Sequence, residues 1–328
     1  MQQTSRESIE EYIGKIEEVR SEIHRVLIGQ EEIVSEILKV LLCKGHMLLE
    51  GVPGVGKTLS VLTLSKTIKD STFGRIQFTP DLLPTDITGV TVYEKEKGFY
   101  TIKGPVFANI VVADEINRSP PKVQSAMLQA MAEREVTIGK KTLPLPDPFF
   151  VLATQNPVET RGVYPLPEAQ IDRFLFKIDI KYPKKSEESV IIDRNIDLKP
   201  LEDYGVEQVI SLKELLTMQD LVKHIYLSYE VKRYIVSLVD ATRYPTKYGI
   251  PEAKFMQWGA SPRASINLAL SARATAFMNS RDYVTPDDVR AVAYPVLRHR
   301  IILNYEGKAR EISTDKVVEA IIKKVPVM

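Results

Sequence analysis

The sequence has a single cysteine, Cys43, in 328 residues. One thiol can form neither an intrachain disulfide nor a Cys-based zinc site. A chain without disulfides fits a reducing compartment. Charge bias is also lacking: 44 Lys and Arg stand against 43 Asp and Glu, for a formal net charge of +1. That balance excludes a generally basic nucleic-acid coat and leaves only a local basic patch open. Long apolar runs are missing. The best continuous candidate, Val106 to Ala113, contains Asn109 and falls well short of the ~18–20 residues of a membrane span. The opening segment MQQTSRESIEEYIGK lacks the apolar core of a signal peptide. The expectation is a soluble protein of the cytoplasm with no membrane span. The four histidines, His24, His46, His224 and His299, are scattered outside any HExxH frame. Structural or surface roles therefore outweigh metal binding for them.

What is present is globular. The hydrophobic share of 44% and charged share of 27% lie outside the disordered and fibrous classes. The length suits roughly two domains at the usual ~100–200 residues each. Thr4 and Glu7 form a capping-box pattern. Behind them Ile9, Ile13, Ile16, Val19, Ile23 and Val26 recur at helical spacing. VLIGQ, 26–30, breaks that stripe, and Ile33, Ile37, Leu38, Leu41 and Leu42 begin another.

Short apolar runs at 46–49, 75–78, 108–113, 149–153 and 174–180 read as strands, most of them buried on both faces. Helical stretches separate most of them, which argues for a parallel sheet with crossover helices. Residues 89–104 and 135–145 interrupt the alternation and read as β-hairpins. They are either surface decoration or arms reaching toward a partner or a pore. The composition shifts at 181–189, where Tyr182-Pro183 ends the last strand and Ser186 can cap a helix. Beyond 184 the chain reads as mainly helical. Val231, Ile235, Leu238 and Val239 keep helical spacing, as do Ile266, Leu270 and Ala274. Thr285-Pro286-Asp287-Asp288 marks a helix start.

The sharpest motif is Gly51-Val52-Pro53-Gly54-Val55-Gly56-Lys57-Thr58, which matches GxxxxGK[ST] at every fixed position. Glycines let successive N–H groups turn inward onto phosphate oxygens. Lys57 supplies positive charge to the β- and γ-phosphates, and Thr58 offers a hydroxyl to Mg²⁺. The helix that follows presents its positive end to the anion. The apolar run Ile110 to Ala113 ends in Asp114-Glu115. Asp114 suits the magnesium shell, and Glu115 suits orientation and deprotonation of an attacking water.

Three further segments gain meaning in that frame. Asn156 in ATQNP, 153–157, ends the next strand, although Asn-Pro alone is an ordinary turn. Arg173 in QIDRF, 170–174, lies at the rim of the sheet, suited to a neighbour's phosphates or to a salt bridge with a nearby acid. Arg263 follows Pro262 in the first turn of a helix. There the helix dipole repels a cation unless an anion binds nearby; otherwise it is a surface arginine.

Together these segments resemble the MoxR-type AAA+ ATPases, a group similar to the ATPase subunit of magnesium chelatase. The resemblance runs through VLIGQ, GVPGVGKT, FTPDLLPTDITG at 78–89, GPVFANIVVADEINRSPPKVQSAML at 104–128, ATQNP, EAQIDRF at 168–174, GASPRA at 259–264 and VLRHRI at 296–301. It covers essentially the whole chain. It implies an α/β fold: a P-loop three-layer sandwich with a parallel five-stranded sheet as AAA+ core, followed by an all-helical lid domain. Residues 1–183 would be the core and 184–328 the lid.

The resemblance also assigns roles. Gly54, Val55, Gly56, Lys57 and Thr58 would bind the phosphates, and Ile28 and Gly29 would pack on adenine. Thr58 and Asp114 would hold Mg²⁺, and Glu115 would be the catalytic glutamate. Asn156 looks like sensor 1, Arg173 like the arginine finger and Arg263 like sensor 2. The first hairpin looks like the helix-2 insert and the second like the presensor-1 hairpin. The tip of the first, Glu94 to Gly98, is charged rather than aromatic, and that departs from a threading machine.

The activity implied is Mg²⁺-dependent ATP hydrolysis in a homo-oligomeric, hexameric ring that remodels partner proteins. Such partners often bear a von Willebrand factor A domain, here expected on a separate chain. The alternative is a nucleotide-gated scaffold with negligible turnover, against which the intact Glu115 and Arg173 argue. A nucleic-acid motor is disfavoured by the balanced charge and the lack of a basic-aromatic stripe.

Overall fold

The computed structural model describes residues 6–27, 29–51, 57–157, 162–180, 182, 185, 187–189 and 201–327, with main chain alone for 6–8, 57 and 202. The chain divides into two compact units. One comprises Lys15–Phe174 and Ile178–Leu216; the other comprises Met1–Gly14, Leu175–Lys177 and Thr217–Met328. Among the described residues no helix is long and apolar enough to cross a membrane.

Two helices open the chain, α1 (Arg6–Val26) and α2 (Glu31–Leu42). Along α1, Ile9, Ile16, Val19, Ile23 and Val26 are buried and Ile13 is half-buried, as their spacing predicts. Thr4, the expected cap, lies outside the described residues, as does Ser186. The break between the stripes has a backbone cause: Gly29 and Gln30 both take the left-handed region, at φ 67° and 58°.

Five strands form the central sheet: β1 (Met47–Gly51), β2 (Phe73–Gln77), β3 (Ile110–Asp114), β4 (Phe150–Gln155) and β5 (Phe176–Ile180), in the order β5-β1-β4-β3-β2. The β1–β4, β4–β3 and β3–β2 pairings are parallel. All five lie where the apolar runs predict, shifted by one or two residues. Met47 to Leu49, Val111 to Ala113 and Val151 to Ala153 are fully buried. This is what continuous apolar runs require when helices cover both faces of a parallel sheet. Each Val, Leu or Met among them contributes about 1.5–3 kcal/mol on full burial. The edge strand β2 instead alternates: Gly74 and Ile76 are buried while Arg75 and Gln77 are exposed on one face. Register aligns Glu50 with Gln155 and Gln77 with Asp114, so the carboxyl ends of these strands form one rim. Gly51 has a packing reason besides its place in the motif. A Cβ there would fall 2.7 Å from the carbonyl oxygen of Ile180.

His46, just before β1, is buried. Its Nδ1 accepts from the Val151 N–H at 3.1 Å, which leaves Nε2 to donate to the Met131 oxygen at 3.2 Å. Burial, aided by the charge of Arg134 and opposed by the Met131 bond, lowers its pKa from 6.5 to about 4.

Helices α3 (Lys57–Thr67) and α4 (Pro121–Glu133) belong to the same unit. Both expected hairpins form. The first pairs Gly89–Glu94 with Gly98–Lys103, and the second pairs Glu135–Ile138 with Lys141–Pro144.

The other unit is built on α5 (Tyr229–Arg243), α6 (Pro262–Met278), α7 (Pro286–Leu297) and α8 (Thr314–Lys324). Ser228, Ser261, Thr285 and Ser313 cap these helices in turn, each worth about 1 kcal/mol. The helix start predicted at Thr285 carries a reciprocal capping box, with Asp288 accepting the Thr285 N–H at 2.8 Å. Burial alone would raise Asp288, but bonds from Arg281 and Thr285 outweigh it and hold its carboxyl below the usual range. A short antiparallel ribbon, Met256–Trp258 with Ile302–Leu303, accompanies the helices. On α6 the stripe is split: Ala274 is buried and Leu270 half-buried, but Ile266 is 60% exposed, and Ala264, Leu268 and Ala272 extend the buried face.

Candidate functional site

Two acids end β3 and one hydroxyl begins α3, and the fold brings them together. Thr58 Oγ1 donates to Asp114 Oδ2 at 3.4 Å. On the neighbouring strand, Thr154 Oγ1 donates to the other carboxylate oxygen of Asp114 at 2.7 Å. The same Thr154 oxygen accepts the Glu115 N–H at 2.8 Å. One side chain thus fixes both acids. Glu115 sits in the left-handed region at φ 56°. That turn at the strand end sends its carboxylate in a different direction from that of Asp114.

Edge strand β2 adds two groups on its exposed face. Arg75 Nη2 lies 2.9 Å from Asp114 Oδ2. Gln77 Nε2 donates to Glu115 Oε2 at 2.8 Å. Arg118, one turn beyond Glu115, reaches the same oxygen at 3.2 Å. Glu115 is therefore held by an amide and a guanidinium together, two donors to one oxygen.

Behind the acids the loops are tied through buried amides. Asn156 is buried, and its main-chain oxygen accepts from Asn117 Nδ2 at 3.4 Å. The main-chain oxygen of Asn117 accepts the Tyr164 N–H at 2.7 Å, and Gln124, fully buried on α4, donates to the main-chain oxygen of Tyr164 at 2.8 Å. Arg173 follows the short helix Glu168–Ile171 and donates to the Leu128 oxygen of α4 at 2.6 Å. Gln170 on that helix reaches Ser125 of α4 at 3.3 Å.

Of the residues expected in the site, the fold gathers Thr58, Asp114 and Glu115, with Asn156 tied to the loop that carries Glu115. Ile28, Gly54, Val55 and Gly56 lie outside the described residues, as does the Lys57 side chain. Gly29 is described, and a Cβ on it would fall 3.0 Å from Glu187 Oε1. Arg263 belongs to the other unit, in the first turn of α6, where its N–H meets the Ser261 hydroxyl at 3.2 Å. Sequence reasoning missed Arg75, Gln77, Arg118 and Thr154. The first two were readable from the alternation in Arg75-Ile76-Gln77, which puts both on one face of a strand beside Asp114.

The donor set suits a hard divalent cation. Among the described residues no group of three or more His, Cys, Asp or Glu could hold a metal by itself. One carboxylate and one hydroxyl, with the rest supplied by phosphate and water, is the usual arrangement for Mg²⁺. Asp114 Oδ2 already draws a cationic partner, Arg75.

Comparison with known proteins follows the same lines. The profile of the ATPase family associated with various cellular activities (AAA) matches residues 46–176, and that of the AAA lid domain matches 252–321. The chain is 47% identical to Chaperone MoxR1 of Mycobacterium tuberculosis, over 95% of this chain and 82% of that one. It is 30% identical to Protein MoxR of Paracoccus denitrificans, over 98% of each. A crystal structure of a presumed ATPase from Cytophaga hutchinsonii superposes with a TM-score of 0.92 at 49% identity, covering 98% of this chain and 97% of that one.

Proposed function

Because the chain belongs to the MoxR family of AAA+ ATPases, we propose that it hydrolyses ATP with Mg²⁺ at a site completed by a neighbouring subunit in a hexameric ring. The observation carrying this reading is the meeting of Thr58, Asp114, Thr154 and Glu115 at one corner of the sheet rim. Thr58 and Asp114 would hold the metal, which when bound neutralises and orients the β- and γ-phosphates. Gly54, Val55, Gly56 and Lys57 would cradle those phosphates, and Ile28 and Gly29 would flank adenine. Glu115 accepts the proton of the attacking water, Asn156 orients that water, and Arg173 offsets charge on the neighbour's transferring phosphoryl group. Arg263 would serve as sensor 2, and the domains would be a core, 1–183, and a lid, 184–328. Turnover would remodel a partner protein in the cytoplasm, one with a von Willebrand factor A domain among the candidates. The name of the tuberculosis relative supports a chaperone role.

Steady-state ATPase across a dilution series, with and without Mg²⁺, tests this. The rate per subunit should fall as rings dissociate. A rate that stays flat down to monomer excludes the shared site, and failure of folded protein to take up Mg-ATP removes the whole reading. One observation favours a second reading, a nucleotide-gated scaffold: the Glu115 carboxylate is engaged by Gln77 and Arg118. Equal turnover of wild type and Glu115→Gln would select it.

A further inference from the structure

Glu115 holds its left-handed backbone, φ 56°, against the preference of any residue with a Cβ. Such a conformation persists only where the surroundings fix it. Two bonds do so directly. The Glu115 N–H donates to Thr154 Oγ1 at 2.8 Å, and the Glu115 main-chain oxygen accepts the Arg118 N–H at 2.8 Å. The second bond closes the turn Ile116–Arg118, so Glu115 is held only as firmly as that turn. The same turn carries Arg118, whose guanidinium lies 3.2 Å from the Glu115 carboxylate.

The sequence explains why the turn needs a further anchor. Ser119-Pro120-Pro121 follows it. Neither proline has an N–H, so the main chain beside the turn is short of donors. Yet Ile116 and Ser119 are fully buried, and buried carbonyls require partners. Ser119 Oγ reaches the Ile116 oxygen only at 3.4 Å. Gln124 supplies what is missing. It lies in the first part of α4, and the side chains of a helix lean toward its N-terminus. Its Nε2 meets the main-chain oxygens of Ser119 at 3.0 Å, Ile116 at 3.2 Å and Tyr164 at 2.8 Å. An amide nitrogen carries two hydrogens, so these acceptors share them. The Gln124 side-chain oxygen has no donor among the described residues. Burying this amide therefore gains nothing beyond what its nitrogen does, and leucine would fill a similar space without that cost.

We propose that Gln124 is a positioning residue of the hydrolytic site: its amide locks the turn 116–119, which keeps Glu115 left-handed and Arg118 on the Glu115 carboxylate. This rests on the reading of Glu115 as the acid that acts on the attacking water, and it adds the group that aims that acid. Gln124 acts through the turn and not on the substrate.

The test reads the backbone at 115 from the gap in urea midpoint between Glu115→Gly and Glu115→Ala. Glycine suits positive φ and alanine does not, so the gap reports the left-handed conformation. With Gln124→Leu added to both chains, the gap should shrink to less than about half. A glutamine that only fills and satisfies the interior would lower both midpoints equally. An unchanged gap therefore overturns the proposal. Where Gln124→Leu yields no folded chain, Gln124→Asn, which keeps the amide but falls short of the turn, takes its place in the same cycle. In steady-state ATPase, Gln124→Leu should lower turnover by about 10²-fold at unchanged nucleotide affinity, and should add nothing to the loss in Glu115→Gln. An equal further loss on top of Glu115→Gln also overturns the proposal. A collapsed gap in a chain without Mg-ATP turnover removes the ATPase reading and keeps Gln124 as the holder of the turn. An active chain with an unchanged gap does the reverse.

Discussion

The rim of the central sheet and the first hairpin are opposite solutions to exposure. At the rim, polar side chains that could each have faced water bond to one another, so that Thr154 serves two acids and Glu115 receives two donors. On the hairpin, apolar side chains that could have been covered are left open. The difference teaches that groups doing chemistry must be held before the substrate arrives. On the hairpin the exposed Tyr93 and Phe99 rings pack against each other instead.

Substitutions can break this contrast. The largest effect is expected from Glu115→Gln, which removes the proposed proton acceptor and keeps the shape. Turnover should drop by about 10²–10⁴ while nucleotide binding persists, measured by steady-state ATPase beside a fluorescent-nucleotide titration. Thr154→Val comes next. It strands the Glu115 N–H and loosens Asp114, so stability should fall by about 1–3 kcal/mol in urea denaturation, with slower turnover.

His46 tests the other end of the same strands. Its pKa is lowered from 6.5 to about 4 in the folded state, so the unfolded chain binds the proton more readily. Its contribution is full above pH 6.5, is lost as pH falls through that window toward about 4, and amounts to about 3 kcal/mol. Urea titrations of wild type and His46→Phe at several pH values should differ in slope across that window. The smallest effect belongs to the hairpin. Phe99→Ser should change stability by less than about 0.5 kcal/mol, because water already covers most of the ring. A large loss there would mean that the contrast is wrong.

Legibility from sequence followed the same divide. The five strands were readable because continuous apolar runs leave no other home for those residues. Both hairpins announced themselves through turn residues. The acids and Thr58 were readable because their spacing is tied to a motif. The supports were not. Thr154, Gln77 and Arg118 are ordinary polar residues whose meaning comes from register, which no single strand encodes. Helix α6 misled for a related reason. Its buried face is mostly small, with Ala264, Ala272 and Ala274 around Leu268, so the larger Ile266 drew attention to the solvent side.

The left-handed backbone at Glu115 has a consequence for how this position can change. A residue with a side chain is out of place in that conformation by about 1–2 kcal/mol, and glycine is not. Glycine and alanine at 115 both lose the bonds from Gln77 and Arg118, so Glu115→Gly should melt above Glu115→Ala on backbone grounds alone. On the proposed reading, turnover is what calls for an acid at a position whose backbone favours glycine.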